Sequence, residues 1–113
     1  MQVVIETNAF LAAAKQACMA EEERGELISL LANSPTAGDL MVGTGGCRKV
    51  RFRKPGKGKS GGYRVVTYYG GGDIPLILLT VFGKNERANL DRAERNALKA
   101  MVARLDEELR NSQ

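Results

Sequence analysis

A long stretch without carboxylates most constrains what this chain can fold into. No Asp or Glu occurs from Met41 to Gly72, while eight of the 17 Lys and Arg residues fall between Arg48 and Arg64. The formal net charge of +4 therefore conceals a local block of +8 that no neighbouring carboxylate neutralises. Because unpaired charges are very costly to bury, the fold must present this block to solvent or to a polyanionic partner.

Length and composition indicate one soluble globular domain spanning residues 1–113, with 43% hydrophobic and 27% charged residues. Two cysteines, Cys18 and Cys47, are too few for a disulfide framework, and the absence of His argues against a zinc site. We expect neither a cofactor nor a metal. The N-terminus lacks the pattern of a secretory signal, and the longest apolar run, Ile74–Phe82, is about half a membrane span. A cytoplasmic protein without a membrane partner is therefore expected.

The N-terminal third predicts a strand followed by two helices. β-Branched residues indicate the strand, and an Ala-rich segment with helically spaced apolar residues indicates the first helix. Three consecutive glutamates, favoured by the helix dipole, mark the start of the second. The predicted elements are a strand at Val3–Glu6, a helix over Ala9–Ala17 capped by Thr7 or Asn8, and a helix from Glu21 to Asn33.

The basic block itself predicts a hairpin with a long loop. Over Lys49–Arg53, Val50 and Phe52 alternate with cations, which is the period-2 pattern of a half-buried strand with one cationic face. Lys54–Gly62 contains four Gly and one Pro and cannot be regular structure. Tyr63–Tyr69 is rich in β-branched and aromatic residues and predicts the returning strand.

The C-terminal part predicts a buried strand and a final helix. Pro75–Phe82 is a continuous apolar run, typical of a strand covered on both faces. Asp91 and Glu94 have the spacing of a capping box. One apolar stripe follows, formed by Leu98, Met101, Val102, Leu105 and Leu109. We therefore predict an α+β fold of order β-α-α-β-β-β-α, with two helices on one face of an antiparallel sheet and the C-terminal helix elsewhere.

Two nucleotide-binding motifs match only formally. Gly56–Gly61 fits G-x-G-x-x-G, but a dinucleotide fingerprint must open a helix, and a strand follows here. Gly58-Lys59-Ser60 fits the end of a Walker A loop, whose first glycine would fall at Arg53. The sequence therefore predicts neither a dinucleotide-binding site nor a P-loop.

Two interpretations of the basic block remain: a solvated surface that keeps the protein soluble, and a site for a phosphate backbone. Glycines permit close backbone approach, Lys57 and Lys59 supply point charges, and Arg51 and Arg64 lie on strands that orient their guanidinium groups. This combination favours the phosphate site.

The tyrosines of the returning strand cannot all face the basic site. Alternation places Arg64, Val66 and Tyr68 on one face of the strand, and the opposite face receives Tyr63, Val65, Thr67 and Tyr69. At most one Tyr can therefore serve the site.

Without His, a general base must be a carboxylate, Lys, Tyr or Cys, and neighbouring cations lower the pKa of a lysine. Glu86 is interpreted as a surface or helix-entry carboxylate.

Three blocks in order resemble RelE/HigB-type toxins of bacterial type II toxin–antitoxin modules, most closely a HigB-like branch. They are GTGGCRKVR at Gly43–Arg51, GKGKSGGYRV at Gly56–Val65 and LTVFGKNE at Leu79–Glu86. The resemblance implies a metal-independent mRNA endoribonuclease that acts in the ribosomal A site, in contact with mRNA and rRNA, and is silenced by a cognate antitoxin. It also implies a toxin–antitoxin complex that binds operator DNA through the antitoxin.

By position, the resemblance assigns catalytic roles to Arg64, Lys84, Lys57 and Lys59, and RNA contacts to Arg48, Lys49, Arg51, Arg53 and Lys54. Many relatives carry a catalytic Tyr or His near the C-terminus, which the segment after Phe82 lacks. We hypothesise that a lysine is the base, with rRNA contributing. Two alternatives are a ParE-like toxin that inhibits DNA gyrase and a non-catalytic nucleic-acid-binding module.

Overall fold

Within residues 1–53, 62–83 and 90–112, the computed structural model contains one five-stranded sheet and three helices. The strands lie in the order β1-β5-β4-β3-β2. None of the helices in these ranges is both long and apolar enough to cross a bilayer. The elements are β1 Val4–Glu6, α1 Asn8–Gln16, α2 Glu21–Asn33, β2 Asp39–Leu40, β3 Cys47–Phe52, β4 Tyr63–Tyr68, β5 Leu76–Gly83 and α3 Arg92–Asn111.

The predicted α+β fold is confirmed, with one strand added, β2, and one correction: the sheet predicted to be antiparallel is mixed. Strands β2 to β5 pair antiparallel, whereas β1 joins β5 in parallel, with Ile5 opposite Ile77. The two residues of β2 pair with Lys49 and Arg48 of β3. A strand of two residues has no periodicity to detect, which is why the sequence did not predict it.

The first core lies between one face of the sheet and helices α1 and α2; we call this the α1/α2 face. Phe10, Leu27 and Leu31 of the helices are fully buried against strand residues such as Val50 and Val65. The predicted Thr7 cap is confirmed: its Oγ1 accepts from Phe10 N at 3.0 Å and donates to Leu78 O at 2.8 Å. The cap therefore fixes both the start of α1 and its position on β5.

The second core lies on the opposite face, beneath α3, and we call this the α3 face. Leu98 and Val102 of the predicted stripe pack with Cys47 and Ile77 of the sheet. The predicted capping box is also confirmed, because the backbone N–H and carboxylate of Asp91 exchange hydrogen bonds with those of Glu94. Helix α3 therefore begins where the sequence indicated.

Near its C-terminus, α3 is fastened to the sheet by polar contacts. Tyr68 OH donates to Asp106 Oδ1 at 2.8 Å, and Arg110 Nε donates to Asp106 Oδ2 at 2.8 Å. Arg110 also donates to Gly70 O at 3.3 Å. These contacts hold α3 over the end of the sheet at which Cys47 pairs with Tyr68.

A β-bulge changes which β5 side chains face each core. The pairing of β4 with β5 shifts between Val66 and Thr67, which leaves Leu79 without a partner on β4. Beyond the bulge, Val81 packs in the α1/α2 core and Phe82 in the α3 core. The bulge therefore sets the neighbours of the basic strands at this end of the α3 face.

Candidate nucleic-acid interface

Two arginines lie directly opposite each other on neighbouring strands, and we call them the arginine row. Arg51 of β3 pairs with Arg64 of β4, which in turn pairs with Phe82 of β5. Val50 and Phe52, which flank Arg51 in sequence, pack in the α1/α2 core. Both arginines therefore lie on the α3 face, which confirms the predicted alternation of apolar and cationic residues along this strand, although the same face also carries the second core.

The arginine row borders an open depression of about 350 Å³, lined by Arg51, Phe52, Arg53, Gly62 and Arg64. Within the described ranges, none of its three guanidinium groups forms an ion pair with a carboxylate. Like charges placed directly opposite in an antiparallel pair are destabilising. A bound anion would neutralise this repulsion, and a phosphate matches the geometry of paired guanidinium groups.

The other two basic residues predicted on this strand lie in different places. Lys49 shares the α3 face and pairs with Asp39 of β2. Arg48 lies on the α1/α2 face, since it alternates with Lys49, and its Nη1 donates to Thr36 O at 3.2 Å. The structure thus places Arg53 with the arginine row, Lys49 further along the same face, and Arg48 on the opposite side of the sheet.

Four of the predicted site lysines, Lys54, Lys57, Lys59 and Lys84, lie outside the described residues, as does Glu86. The described residues on either side of the first segment are Arg53 and Gly62, and both line the depression beside the arginine row. Gly83, the last described residue before Lys84, pairs with Tyr63 at the same end of the sheet. The roles assigned to these lysines remain predictions.

The three tyrosines make hydrogen bonds that fasten the fold. Tyr63 and Tyr69 pack against the α1/α2 core and Tyr68 against the α3 core, which confirms the predicted alternation. Tyr68 OH donates to Asp106, as described above, and Tyr69 OH donates to Gly72 O at 2.6 Å. Burial raises the pKa of the Tyr68 phenol, and the hydrogen bond to Asp106 adds to the effect. Neither hydroxyl is aimed at the arginine row.

Tyr63 sits at the same end of β4 as Arg64 but on the opposite face. Its hydroxyl lies 3.1 and 3.2 Å from the two carboxylate oxygens of Glu23, a buried side chain at the start of α2. Burial, the hydrogen bond to Glu23 and the charge of that carboxylate together raise the pKa of Tyr63 to about 12. The phenol of Tyr63 stays protonated at neutral pH and lies on the face opposite the arginine row. It therefore stabilises the fold and does not act as a base for the arginine row.

Of the two free cysteines, Cys18 is exposed and Cys47 is buried beneath α3. Cys47 is fully buried in the α3 core, and burial raises the pKa of its thiol, which disfavours the reactive thiolate. Across residues 1–53, 62–83 and 90–112, no group of three or more His, Cys, Asp or Glu side chains could hold a metal ion.

With this geometry in place, comparison with known proteins identifies the family. A family model described as the RelE toxin of the RelE/RelB toxin–antitoxin system matches residues 2–112. The chain belongs to the RelE toxin family. A solved structure of the E. coli toxin RelE, an arginine-to-alanine double mutant in the free state, is 15% identical and has a TM-score of 0.52, covering 88% of this chain and 95% of that one. That likeness shows the shared fold.

Membership of the RelE family makes the chain a toxin of a toxin–antitoxin system and implies an antitoxin partner. The resemblance drawn from the sequence is therefore confirmed at the level of the family. The HigB-like branch within it stays a prediction, as do the roles assigned to individual residues.

One cluster of this RelE-family toxin was missed by sequence reasoning. A second depression, of about 380 Å³, lies between α3 and the loop before β3, lined by Val42, Gly43, Arg92, Arg95 and Asn96. The signal was present in the sequence, because Arg92, Arg95 and Lys99 have the i, i+3, i+7 spacing of one helix flank. Such spacing is also typical of an ordinary solvated helix, and only the structure reveals the glycine-containing loop beside it.

Proposed function

We propose that this RelE-family toxin is a ribosome-dependent endoribonuclease that cleaves mRNA in the ribosomal A site. The observation that carries the proposal is the arginine row: two arginines directly opposite each other in the strand pairing, without carboxylate partners in the described ranges, beside an open depression. A solvated surface has no need of opposed like charges, which destabilise the sheet. A phosphodiester supplies the anion that this arrangement lacks.

The chemistry expected there is transfer of a phosphodiester to the neighbouring ribose hydroxyl. A base removes the 2′-OH proton, the 2′-oxygen attacks the adjacent phosphorus, and the bond to the 5′-oxygen breaks as that oxygen acquires a proton. The products are a cyclic phosphate and a 5′-hydroxyl. Negative charge builds on the phosphorus-bound oxygens in the transition state, where preorganised donors are most effective.

Arg64 is the residue best placed to stabilise that charge. It lies on β4, the central strand of the sheet, and is partly buried between Arg51 and Phe82, so the direction of its side chain is restricted. Arg51 is more exposed and, with Arg53, is suited to holding phosphate oxygens. We assign the catalytic role to Arg64 and phosphate binding to Arg51 and Arg53.

The general base is proposed to be a lysine, with Lys57, Lys59 and Lys84, which lie outside the described residues, as candidates and rRNA contributing. This proposal draws support from the tyrosines: Tyr63, Tyr68 and Tyr69 are all hydrogen-bonded elsewhere in the fold. We also propose that the antitoxin complex binds operator DNA through the antitoxin, as the resemblance implies.

Mapping of new mRNA 5′ ends after induction in cells tests the proposal. The wild-type toxin should generate cleavage ends within translated messages. Arg64→Ala should reduce cleavage about 10²–10³-fold, by analogy with the loss of one oxyanion-hole donor, without changing the circular dichroism spectrum or the melting temperature by more than a few degrees. Arg104→Ala, an exposed arginine on α3, is the matched control and should cleave normally.

Two results would contradict this assignment. Full toxicity of a folded Arg64→Ala variant would remove Arg64 from the mechanism. Growth arrest with intact translated mRNA would remove the endoribonuclease function altogether, and a supercoiling defect in the same cells would indicate a gyrase inhibitor of the ParE kind.

A further inference from the structure

The loop before β3, residues 41–46, lies beside α3 and is closed by internal hydrogen bonds. Thr44 Oγ1, fully buried, donates to Met41 O at 2.7 Å and accepts from Cys47 N at 3.0 Å, while Met41 N donates to Cys47 O at 2.9 Å. Gly43 within the loop has a φ of +80°, in the left-handed region that glycine adopts without strain. The loop is therefore closed by its own hydrogen bonds.

Helix α3 holds this loop in place through one arginine. Arg95 Nη1 donates to Val42 O at 3.0 Å, and its Nε donates to Leu90 O at 3.4 Å. Lys99 also packs beside the loop, since a Cβ added at Gly45 would lie 3.5 Å from its Cγ atom. Arg95 is thus hydrogen-bonded to the loop, and the aliphatic stem of Lys99 lies beside it.

The depression between α3 and this loop is lined mostly by residues whose hydrogen-bond donors have no acceptor in the described part of the chain. Among the described residues, the backbone N–H groups of Val42 and Gly43 have no hydrogen-bond acceptor, and the side chains of Arg92 and Asn96 have no partner. All four residues line the 380 Å³ depression, together with Arg95. Unpaired backbone amides next to guanidinium groups form the type of concavity that binds phosphate.

Among the described residues, no carboxylate forms an ion pair with Arg92 or Lys99. The two acids at the start of α3, Asp91 and Glu94, hold each other's backbone N–H groups in the capping box. The stretch from Met41 to Gly72 contains no acid. The described residues that line the depression are therefore basic or uncharged, a setting that favours an anionic ligand.

We propose that Val42, Gly43, Arg92 and Asn96, flanked by Lys99 beside the same loop, form a second phosphate-binding site, which holds the sugar–phosphate backbone of RNA away from the arginine row. Cys47, next to the loop, is four residues from Arg51 along β3, a distance of about 13 Å at roughly 3.3 Å per residue. One phosphate cannot span both sites. The second site therefore anchors another part of the RNA and takes no part in the chemistry, and RNA as its ligand rests on the proposed function.

Binding of a fluorescent single-stranded 12-mer RNA and of purified small ribosomal subunits, each over a range of salt concentrations, tests this proposal. The variants are Arg92→Gln and the double variant Arg92→Gln/Lys99→Gln, and Arg104→Gln on another flank of α3 is the matched control. Each lost phosphate contact should lower the affinity about fivefold at 0.1 M salt and reduce the salt slope by about 0.7. The double variant should lose about 25-fold, and the control should bind like wild type.

The outcomes separate this site from the proposed catalytic function. A loss with the 12-mer identifies a messenger-like strand as the ligand, and a loss with the ribosomal subunit alone identifies rRNA; either supports the site. Wild-type affinity of the double variant for both probes would overturn it, even if Arg64→Ala abolishes cleavage. Displacement of RNA by a polyglutamate peptide at equal charge concentration as effectively as by unlabelled RNA would also overturn the assignment to a phosphate backbone.

Discussion

The two faces of the sheet are covered differently, and the difference explains where this toxin can bind a ligand. On the α1/α2 face, two helices close over a core whose central side chains, such as Phe10 and Leu27, are fully buried. On the α3 face a single helix covers the end near Cys47, and the other end presents Arg51 and Arg64. The α1/α2 face is therefore occupied by a hydrophobic core, whereas the α3 face has a core at one end and arginines at the other.

Matched leucine truncations should show the largest effect of this difference. Leu27 of α2 is fully buried under the α1/α2 face, and Leu98 of α3 is 7% exposed beside a shallow groove. Leu→Ala in cores costs about 2–5 kcal/mol, more where the surroundings cannot relax. We expect Leu27→Ala to lose about 4 kcal/mol and Leu98→Ala about 2 kcal/mol in urea denaturation. Equal losses would show that both faces are packed alike.

The tie between Tyr63 and Glu23 should produce the next largest effect, and one that depends on pH. Tyr63→Phe leaves the buried carboxylate of Glu23 without this donor, which should cost about 1–3 kcal/mol at pH 7. Because the folded pKa of Tyr63 is raised to about 12, above the ordinary value of 10.0, the unfolded chain loses its proton first as pH rises. The stabilisation is therefore complete below pH 10 and is lost as pH rises towards 12.

The measurement is the difference in unfolding free energy between wild type and Tyr63→Phe at several pH values. The difference should be constant up to about pH 9 and shrink between pH 10 and 12. Subtracting the variant removes the titration of the other tyrosines and lysines. A difference that stays constant through pH 12 would show that Tyr63 is not a buried, proton-retaining donor to Glu23.

A buried hydroxyl on β4 predicts a smaller effect of opposite sign. Thr67 is fully buried, and its Oγ1 has no hydrogen-bond partner among the described residues. Replacing it by the isosteric Val removes a desolvated polar atom, so Thr67→Val should gain about 1 kcal/mol in unfolding free energy. Thr80→Val, at a partly exposed position on the neighbouring strand, is the control and should change stability little. A loss of stability in Thr67→Val would mean that the hydroxyl has a partner in the folded protein.

A feature of this fold could be predicted from the sequence when the residues that determine it lie close together in the chain. Local signals succeeded: the Asp91–Glu94 capping box, the Thr7 cap and the alternation around Val50 are each set by residues within a few positions. The parallel pairing of β1 with β5 joins residues about 70 positions apart, and no local pattern encodes it.

The candidate site was predicted in part for the same reason. The alternation of side chains along a strand predicted the face of Arg51 and Arg64 correctly. The same alternation puts Arg48 on the face of Val50, but Arg48 was grouped with the RNA contacts because of its charge. The position of Phe82 beside Arg64 depends on a bulge that only the pairing of β4 with β5 reveals. The depression beside Arg92 needed the tertiary contact between α3 and a loop 50 residues earlier in the chain.

The smallest effect concerns the cost of the arginine row itself. Since opposed like charges in an antiparallel pair are unfavourable by about 0.2–1 kcal/mol, Arg51→Gln should stabilise the free protein by an amount in this range, measured by urea denaturation at low salt. Arg53→Gln has no directly opposed arginine in the described pairing and is the control. The gain should shrink in phosphate buffer, because a bound anion already relieves the repulsion in wild type. If Arg51→Gln were less stable than wild type, contacts within the protein would already stabilise the arginine row. The row would then not need a bound anion.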